Sequence, residues 1–576
     1  MSATSTGPTR ARYVLGLNLG FHESSAALLL NGSLRWLVEQ ERLSRRKRAL
    51  GQPPAAAAQA CLDAEGIALD SVDVLAIGWD FSRTPLARSR RFTDEGLRQL
   101  LFPEARPDQM PPVRWVPHHL AHAASAYYSS GEDEAAVIVV DGAGETQATT
   151  LGRAAGGRIE LLREWPTAQS LGFFYASASK WAGLGEWGAG KLMGLAAYGR
   201  PGPGLPLRPT ADGYELDLEV GAAAEPEEGT GRRPRPPLMS FPPAYEAAVK
   251  ECFGRRFPYA GRAGEDAISY ADFAASVQHA TEEAMLSLAA AARRRVDVPA
   301  LVLAGGVAMN CSMVGRLLRD GPFDRIYVPP VATDAGVALG GALVAARECG
   351  APGSFSPRRV DHPYWSLDLD LDSAWRAAAG AGLVARRLSD DQLATCVAEA
   401  LAAGRIVAVA RGRGEIGQRA LGARSILADP RDRRCHERLN TIKGREMWRP
   451  VAPSVLREHA GDLIEGPVGD PSRFMLAAGQ VRPAQRRRVP AVTHVDGSAR
   501  PHVVDRASNP TYWSLIDRFR GLTGVPVVVN TSFNLAGEPI VCSAADAVST
   551  FRRAEGLDLL VLGELLVTRG ESDQPD

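Results

Sequence analysis

The sequence predicts an α/β protein built as more than one domain. Three observations carry that prediction. At 576 residues the chain is too long for a single hydrophobic core. Residues 13–38 and 134–153 each read as strand, turn, strand, so one module occurs twice. Residues 299–318 (PALVLAGGVAMNCSMVGRLL) read as a buried strand, a Gly-Gly pair and a helix start, a junction typical of α/β nucleotide sites. Composition agrees with a soluble globular protein, 45% apolar and 23% charged. Lys+Arg and Asp+Glu both number 66, so no global nucleic-acid footprint is indicated, and local Arg clusters must answer to local anions. The seven cysteines are scattered, with no CxxC. They argue against a disulfide framework or zinc ribbon and suit a reducing cytoplasm. Residues 1–12 lack an apolar signal core and read as a disordered tail. No apolar run reaches the ~18 residues of a membrane span.

In chain order, YVLGLNLGFHESSAALLLNGSLRWLV (13–38) places two β-rich runs around Asn31-Gly32, a strong hairpin signal. His22, Ser24 and Ser25 sit in small-residue backbone able to hold a phosphate, although an ordinary hairpin reads equally well. The basic run 39–49 is either a solvated helix face or, through Lys47, a reach toward an anion at a domain edge. An Ala-rich helix and a buried strand follow within 53–100. In VPHHLAHAASAYYSSG a strand end runs into a helix that stacks His118 and His122 on one face. That pair is either two ordinary helix histidines or half of a divalent-metal site lacking a third ligand. EAAVIVVDGAGETQATTLGR (134–153) repeats the first module around an Asp-Gly turn, with Asp141 at the strand end facing the cleft. This duplication is the organisation of actin-like ATPases, sugar kinases and Hsp70 proteins. Residues 200–243 read as a long polar loop, and 270–295 as a strong helix. Asp334 precedes a Gly-rich helix start, either as an N-cap or as the missing metal ligand.

Residues 351–369 read as a linker between domains at 13–350 and 370–576. The second domain opens with an amphipathic helix and the strand RIVAVARGRG. Residues 413–456 then interleave Arg419, Arg424, Lys443, Arg445 and Arg449 with Gly and Ser. Cations near loops suit polyphosphate, Arg as a bidentate fork and Lys as a point charge. A last buried strand ends in Asn530-Thr531-Ser532, groups that can meet an anion or a carbonyl.

Eight motifs in order, HHLAHAASAYYSSG, VVDGAGE, KLMGLAAYG, LAGGVAMN, PPVATDAG, GEIGQRALGARSILADPR, REMWRPVAPSV and NTSFNLAGEPIV, resemble the NodU/CmcH O-carbamoyltransferases from Val14 to about Val567. The resemblance implies an N-terminal ASKHA (actin-like ATPase) duplicated domain and a C-terminal YrdC-like α/β domain. It implies ATP and carbamoyl phosphate as co-substrates, with Mg(II) accompanying ATP, and carbamoyl adenylate as the intermediate. The acceptor it implies is a hydroxyl of a small natural product, as in antibiotic biosynthesis, with neither nucleic acid nor membrane as partner. By resemblance, Arg419, Arg424, Ser425, Lys443, Arg449, Arg500, Asn530 and Ser532 line the adenylating site. His502 stands where the family more often has Gln. His118, His122 and Asp334 match the metal ligands, a set that suits Fe(II), and His119 is the structural member of the trio. His22 matches the histidine beside the acceptor hydroxyl and is the candidate general base. Lys47 matches a phosphate-contacting lysine, and Gly305, Gly306 and Asn310 match the adenosine-holding residues. Where the family often has His-Asp, this chain has His22-Glu23, and Gly20 replaces an acidic residue. The rival readings are a tRNA threonylcarbamoylation-type enzyme and a non-catalytic nucleotide-sensing ASKHA scaffold.

Overall fold

A computed structural model describes residues 12–84, 89–218, 250–254, 257, 267–349 and 358–570. The expected tail except Arg12, residues 219–243 of the expected loop, and the first part of the expected linker (351–357) lie outside the described residues. The protein is mixed α/β. One five-stranded sheet runs Ser33–Glu39, Ser25–Leu30, Tyr13–Asn18, Val72–Ile77, Val113–Trp115 from edge to edge. Its first two pairings are antiparallel and its last two parallel. A second sheet runs Arg158–Pro166, Gln147–Ala155, Glu134–Val140, Ala300–Ala304, Arg325–Tyr327, with the same order of directions. The repeat expected from the sequence is therefore a repeat of whole sheets.

Local chemistry explains both hairpins. Asn31 (φ 50°) and Gly32 (φ 76°) both take left-handed backbone, the geometry that matches the twist of a two-residue hairpin. The equivalent turn in the second sheet is Gly156-Gly157 (φ 55° and 72°). Asp141-Gly142, expected to be that turn, belongs instead to the loop between Glu134–Val140 and Gln147–Ala155. It matches the His22 loop of the first sheet. The Asp141 side chain is committed elsewhere and makes no local turn bond.

Two helices lie between these sheets, His118–Ser130 against the second and Val337–Cys349 against the first. Both are rich in small residues, Ala and Ser in the first and Ala and Gly in the second, and buried almost throughout. They approach backbone to backbone, since a Cβ on Gly340 would stand 1.7 Å from the Ala121 carbonyl oxygen. Residue 340 must stay bare for the helices to cross here.

The C-terminal part forms an eight-stranded sheet in the order Val384–Arg387, Leu565–Thr568, Leu559–Leu562, Val407–Ala410, Arg424–Ala428, Val527–Ser532, Ala452–Leu456, His502–Val504. Its core is its own, from Ala374 to Val567. The two halves meet through apolar packing, with Ile416, Leu421, Trp448 and Phe474 joining the N-terminal core, and through guanidinium groups. Arg42, 3% exposed, donates to the Gly417 carbonyl (2.6 Å), and Arg45 donates to those of Ile540 (2.7 Å) and Pro539 (3.0 Å). Among the described residues no helix is long and apolar enough to cross a membrane.

Candidate active site

The first cluster grows from the start of the His118–Ser130 helix. Glu145 accepts the His118 backbone N–H (2.9 Å) and that of Asp80 (2.8 Å), so a carboxylate caps the positive end of this helix. His118 Nδ1 lies 3.2 Å from the Gly78 carbonyl oxygen, and that contact turns Nε2 inward toward the carboxylates. One turn on, His122 presents Nε2, and neither of its ring nitrogens has a hydrogen-bond partner. Asp141 Oδ2 lies 3.3 Å from His118 Nε2 and 3.5 Å from His122 Nε2; Asp334 Oδ1 lies 3.6 and 3.4 Å from the same atoms.

One donor atom from each of these four buried residues falls within 4.8 Å of the others. Two imidazoles and two carboxylates are a donor set for a divalent metal, and the unpartnered His122 Nε2 is what an ion would satisfy. The set fits. Asp141 is the member that sequence reasoning did not assign. Its signal was an Asp at a strand end facing the cleft, obscured by looking like a turn. Burial alone would raise its carboxyl, but the two imidazoles hold it well below the usual range. Its other oxygen accepts the Gly306 N–H (2.8 Å). Gly305, at φ 93°, lets this junction pass close, because a Cβ there would be 2.2 Å from the Val140 carbonyl oxygen. His119 stands apart, with Nδ1 2.7 Å from Thr150 Oγ1, and burial holds its imidazole well down in the neutral range.

His22 adjoins this cluster, with Nε2 3.7 Å from Asp334 Oδ2. Glu23 beside it is buried at φ 54°, and accepts from Arg48 (3.1 Å) and from Gln418 of the other half (2.6 Å). Ser25, on the following strand, donates to the Ala335 carbonyl (2.7 Å), tying the loop to Asp334.

The second cluster is cationic. Lys443, buried at the end of the Arg434–Ile442 helix, donates to Ser532 Oγ (3.2 Å) and to the side chain (2.8 Å) and backbone (3.0 Å) oxygens of Asn534. Burial, then Arg445, Arg449 and Lys47, pull its ammonium well below the usual lysine range. Burial with Arg500 brings Arg419 down to about 9, and burial with Arg449 and Arg500 does the same to Arg445. Burial lowers Arg449 too, against Glu446. Lys47 is open to solvent yet lowered by burial, as expected in a concavity. Six cations thus face one another, an arrangement that calls for bound anions. Nε of Arg419 and of Arg500 and Oδ1 of Asn530 are buried without partners. Arg419 also donates to the Met309 carbonyl (3.2 Å), beside the Gly305–Asn310 junction. Lys191 reaches the same region through Glu446 (2.7 Å).

Three expected residues have other commitments. Arg424, 1% exposed, gives its guanidinium to the carbonyls of Arg411 (3.0 Å), Gly412 (3.0 Å), Ala423 (3.1 Å), Cys542 (3.4 Å) and Leu367 (3.5 Å). Ser425 Oγ accepts the Gly422 N–H (2.9 Å), and Ser425 pairs across the sheet with Ser532. Asn310 caps the Cys311–Asp320 helix and bonds Gln278 (2.9 Å). His502, whose imidazole burial depresses to about 3, sits 3.0 Å from Ser454 Oγ, which accepts from Asn530 (2.9 Å).

Comparison with known proteins bears on the whole chain. A model described as "Carbamoyltransferase N-terminus" matches residues 82–343, and one described as "Carbamoyltransferase C-terminus" matches residues 398–569. Nodulation protein NolNO of Sinorhizobium fredii is 36% identical over 576 residues, spanning 97% of this chain and 81% of that protein. Nodulation protein NolO of Bradyrhizobium diazoefficiens is 38% identical over 464 residues, 80% of each chain. The 3'-hydroxymethylcephem-O-carbamoyltransferase of Amycolatopsis lactamdurans is 35% identical over 294 residues, 50% of this chain and 53% of that one.

Proposed function

The chain belongs to the carbamoyltransferase family and is a carbamoyltransferase, and on that premise we propose that it is an ATP-dependent O-carbamoyltransferase working through carbamoyl adenylate. The observation that carries this reading is the adjacency of two chemically different clusters, one of cations and one of metal donors. Carbamate is a poor electrophile because its leaving group is hydroxide. Adenylation replaces hydroxide by AMP. Carbamoyl phosphate first loses inorganic phosphate to water. The resulting carbamate oxygen attacks the α-phosphorus of ATP, and pyrophosphate leaves. An acceptor hydroxyl then attacks the carbamoyl carbon, loses its proton and displaces AMP.

Lys47, Arg419, Lys443, Arg445, Arg449 and Arg500 neutralise the phosphates of the first stage, with Mg(II) accompanying ATP. Asn530 and Ser532 line that stage, with Arg424 and Ser425 supporting the strand beneath. Gly305, Gly306 and Asn310 face the nucleoside. His22 takes the acceptor proton at Nε2. Fe(II), held by His118, His122, Asp141 and Asp334, supplies Lewis-acid polarisation when bound. The repeated sheets support an ASKHA-like part over 13–350, and the adenylating part over 370–576 is YrdC-like. Seven free cysteines accord with a cytoplasmic enzyme. The acceptor is a small hydroxylated natural product, the class that the name of the cephem relative indicates for that protein.

The test is ATP consumption by metal-loaded enzyme with and without carbamoyl phosphate. AMP and pyrophosphate formed only with carbamoyl phosphate support the reading. ADP formation, or no dependence on carbamoyl phosphate, overturns it.

A further inference from the structure

A half-exposed indole stands beside His22. Trp187 keeps 41% of its surface in solvent, although it sits on a turn closed by two bonds to the Gly185 carbonyl, from the Gly188 N–H (3.0 Å) and Ser179 Oγ (2.7 Å). Its ring meets the His22 imidazole edge-on, centroids 5.1 Å apart at 72°. The Arg48 guanidinium lies over the indole, 4.4 Å from its centroid, and donates to the Trp187 carbonyl (3.4 Å) and to Glu23 (3.1 Å). Leu50, 54% exposed, follows the same basic turn, which is pinned to the His22 loop where the Gly51 N–H donates to the Phe21 carbonyl (2.9 Å). A single exposed tryptophan is ordinary. One fixed by a cation, a turn and a candidate base whose own Nε2 is 3.7 Å from Asp334 Oδ2 is a preorganised surface.

We propose that Trp187 is the platform on which the acceptor rests, and that the acceptor carries an uncharged apolar ring face next to its reacting hydroxyl. This rests on the carbamoyl-transfer reading of the same site. The ring stacks on the open part of the indole and sets the hydroxyl against His22. An ammonium is disfavoured there by like charge. Arg48 already holds the cation position on the ring, and Glu23 is spent on Arg48 and Gln418.

Saturation-transfer NMR on the full-length enzyme tests this with benzyl alcohol as probe and 2-aminoethanol as control. The benzyl ring protons are expected to draw saturation from the wild type and from Trp187→Phe, and about tenfold less from Trp187→Ala, the factor an aromatic pair is worth. The 2-aminoethanol protons are expected to draw none. No transfer to benzyl alcohol in the wild type, equal transfer in all three proteins, equal loss in both variants, or transfer to 2-aminoethanol overturns the platform. Carbamoyl-phosphate-dependent AMP formation is measured on the same wild-type preparation. Its absence overturns the transfer reading, whereas its presence without Trp187-dependent binding overturns the platform alone.

Discussion

Asp141 serves two partners with one carboxylate, Oδ1 taking the Gly306 N–H and Oδ2 facing both imidazoles. An amide in its place keeps one role and loses the charge. Asp141→Asn is therefore expected to cost at least the ~10–100-fold in metal affinity that even an outer-shell change costs, read as retained metal after dialysis. Unchanged metal content would remove Asp141 from the donor set. Arg424 makes the opposite kind of prediction. Its donors tie carbonyls from several segments to one buried guanidinium, so Arg424→Met is expected to lower stability by about 3 kcal/mol in urea unfolding. An unshifted midpoint with a raised KM for ATP would return it to the phosphate site. These two residues mark what the sequence could say. His118 and His122 were legible because a helix stacks positions four apart. Asp141 was not, because its partners lie 23 and 19 positions back in sequence and its Asp-Gly looks like a turn. Arg424 resembled its cationic neighbours because the carbonyls that absorb it come from residues 367, 411, 412 and 542.

At the scale of elements, one short helix sets the cationic loop. Asn440, fully buried in Arg434–Ile442, donates to the carbonyls of Met447 (3.2 Å) and Arg449 (3.0 Å), while its Oδ1 accepts from Arg445. His436, one turn earlier, lies 2.7 Å from the Arg449 carbonyl oxygen. Asn440→Ala releases the Met447 carbonyl and the Arg445 side chain together and leaves the Arg449 carbonyl to His436 alone. It is expected to raise KM for carbamoyl phosphate on the order of tenfold, with a smaller change in kcat, because about 1–3 kcal/mol of positioning is lost. A kcat loss at constant KM would show that the loop acts in the chemical step instead. The crossing helices make a similar case. Gly340→Ala must push His118–Ser130 away from Val337–Cys349, so Asp334 moves relative to His122. Metal affinity and thermal stability are expected to fall together. The first hairpin was legible because Asn-Gly is a local device. In the second sheet the strands on either side of Asp141-Gly142 were legible, but the turn equivalent to Asn31-Gly32 is Gly156-Gly157, which lacks the Asp-Gly signature. Neither asparagine clamp nor bare crossing leaves a local pattern, since each is defined by contacts between segments.

The whole molecule carries a standing cost in its cation cluster. Arg419 and Arg445 sit at about 9 against an ordinary 12.5. A depressed cation costs stability at every pH below its folded value, and relief comes only as pH climbs from about 9 toward 12.5. At neutral pH the full cost is present. Removing one charge by Arg445→Gln is expected to raise Tm of the free enzyme by about 2–4 °C, the shift that ~1 kcal/mol makes in a domain of this size, while weakening phosphate binding. Pyrophosphate is expected to raise the wild-type Tm and to do so less in the variant. A lower Tm in Arg445→Gln would make the cluster a stabilising network. The Arg42 and Arg45 contacts across the two halves give this a further consequence. Ionic strength screens the half-exposed cations of the cluster over a Debye length of about 8 Å, but barely touches the buried Arg42 guanidinium against the Gly417 carbonyl. Rising salt is therefore expected to weaken polyanion binding to the cluster before it parts the two halves. A salt-inhibited enzyme is an assembled one, and dilution alone restores it.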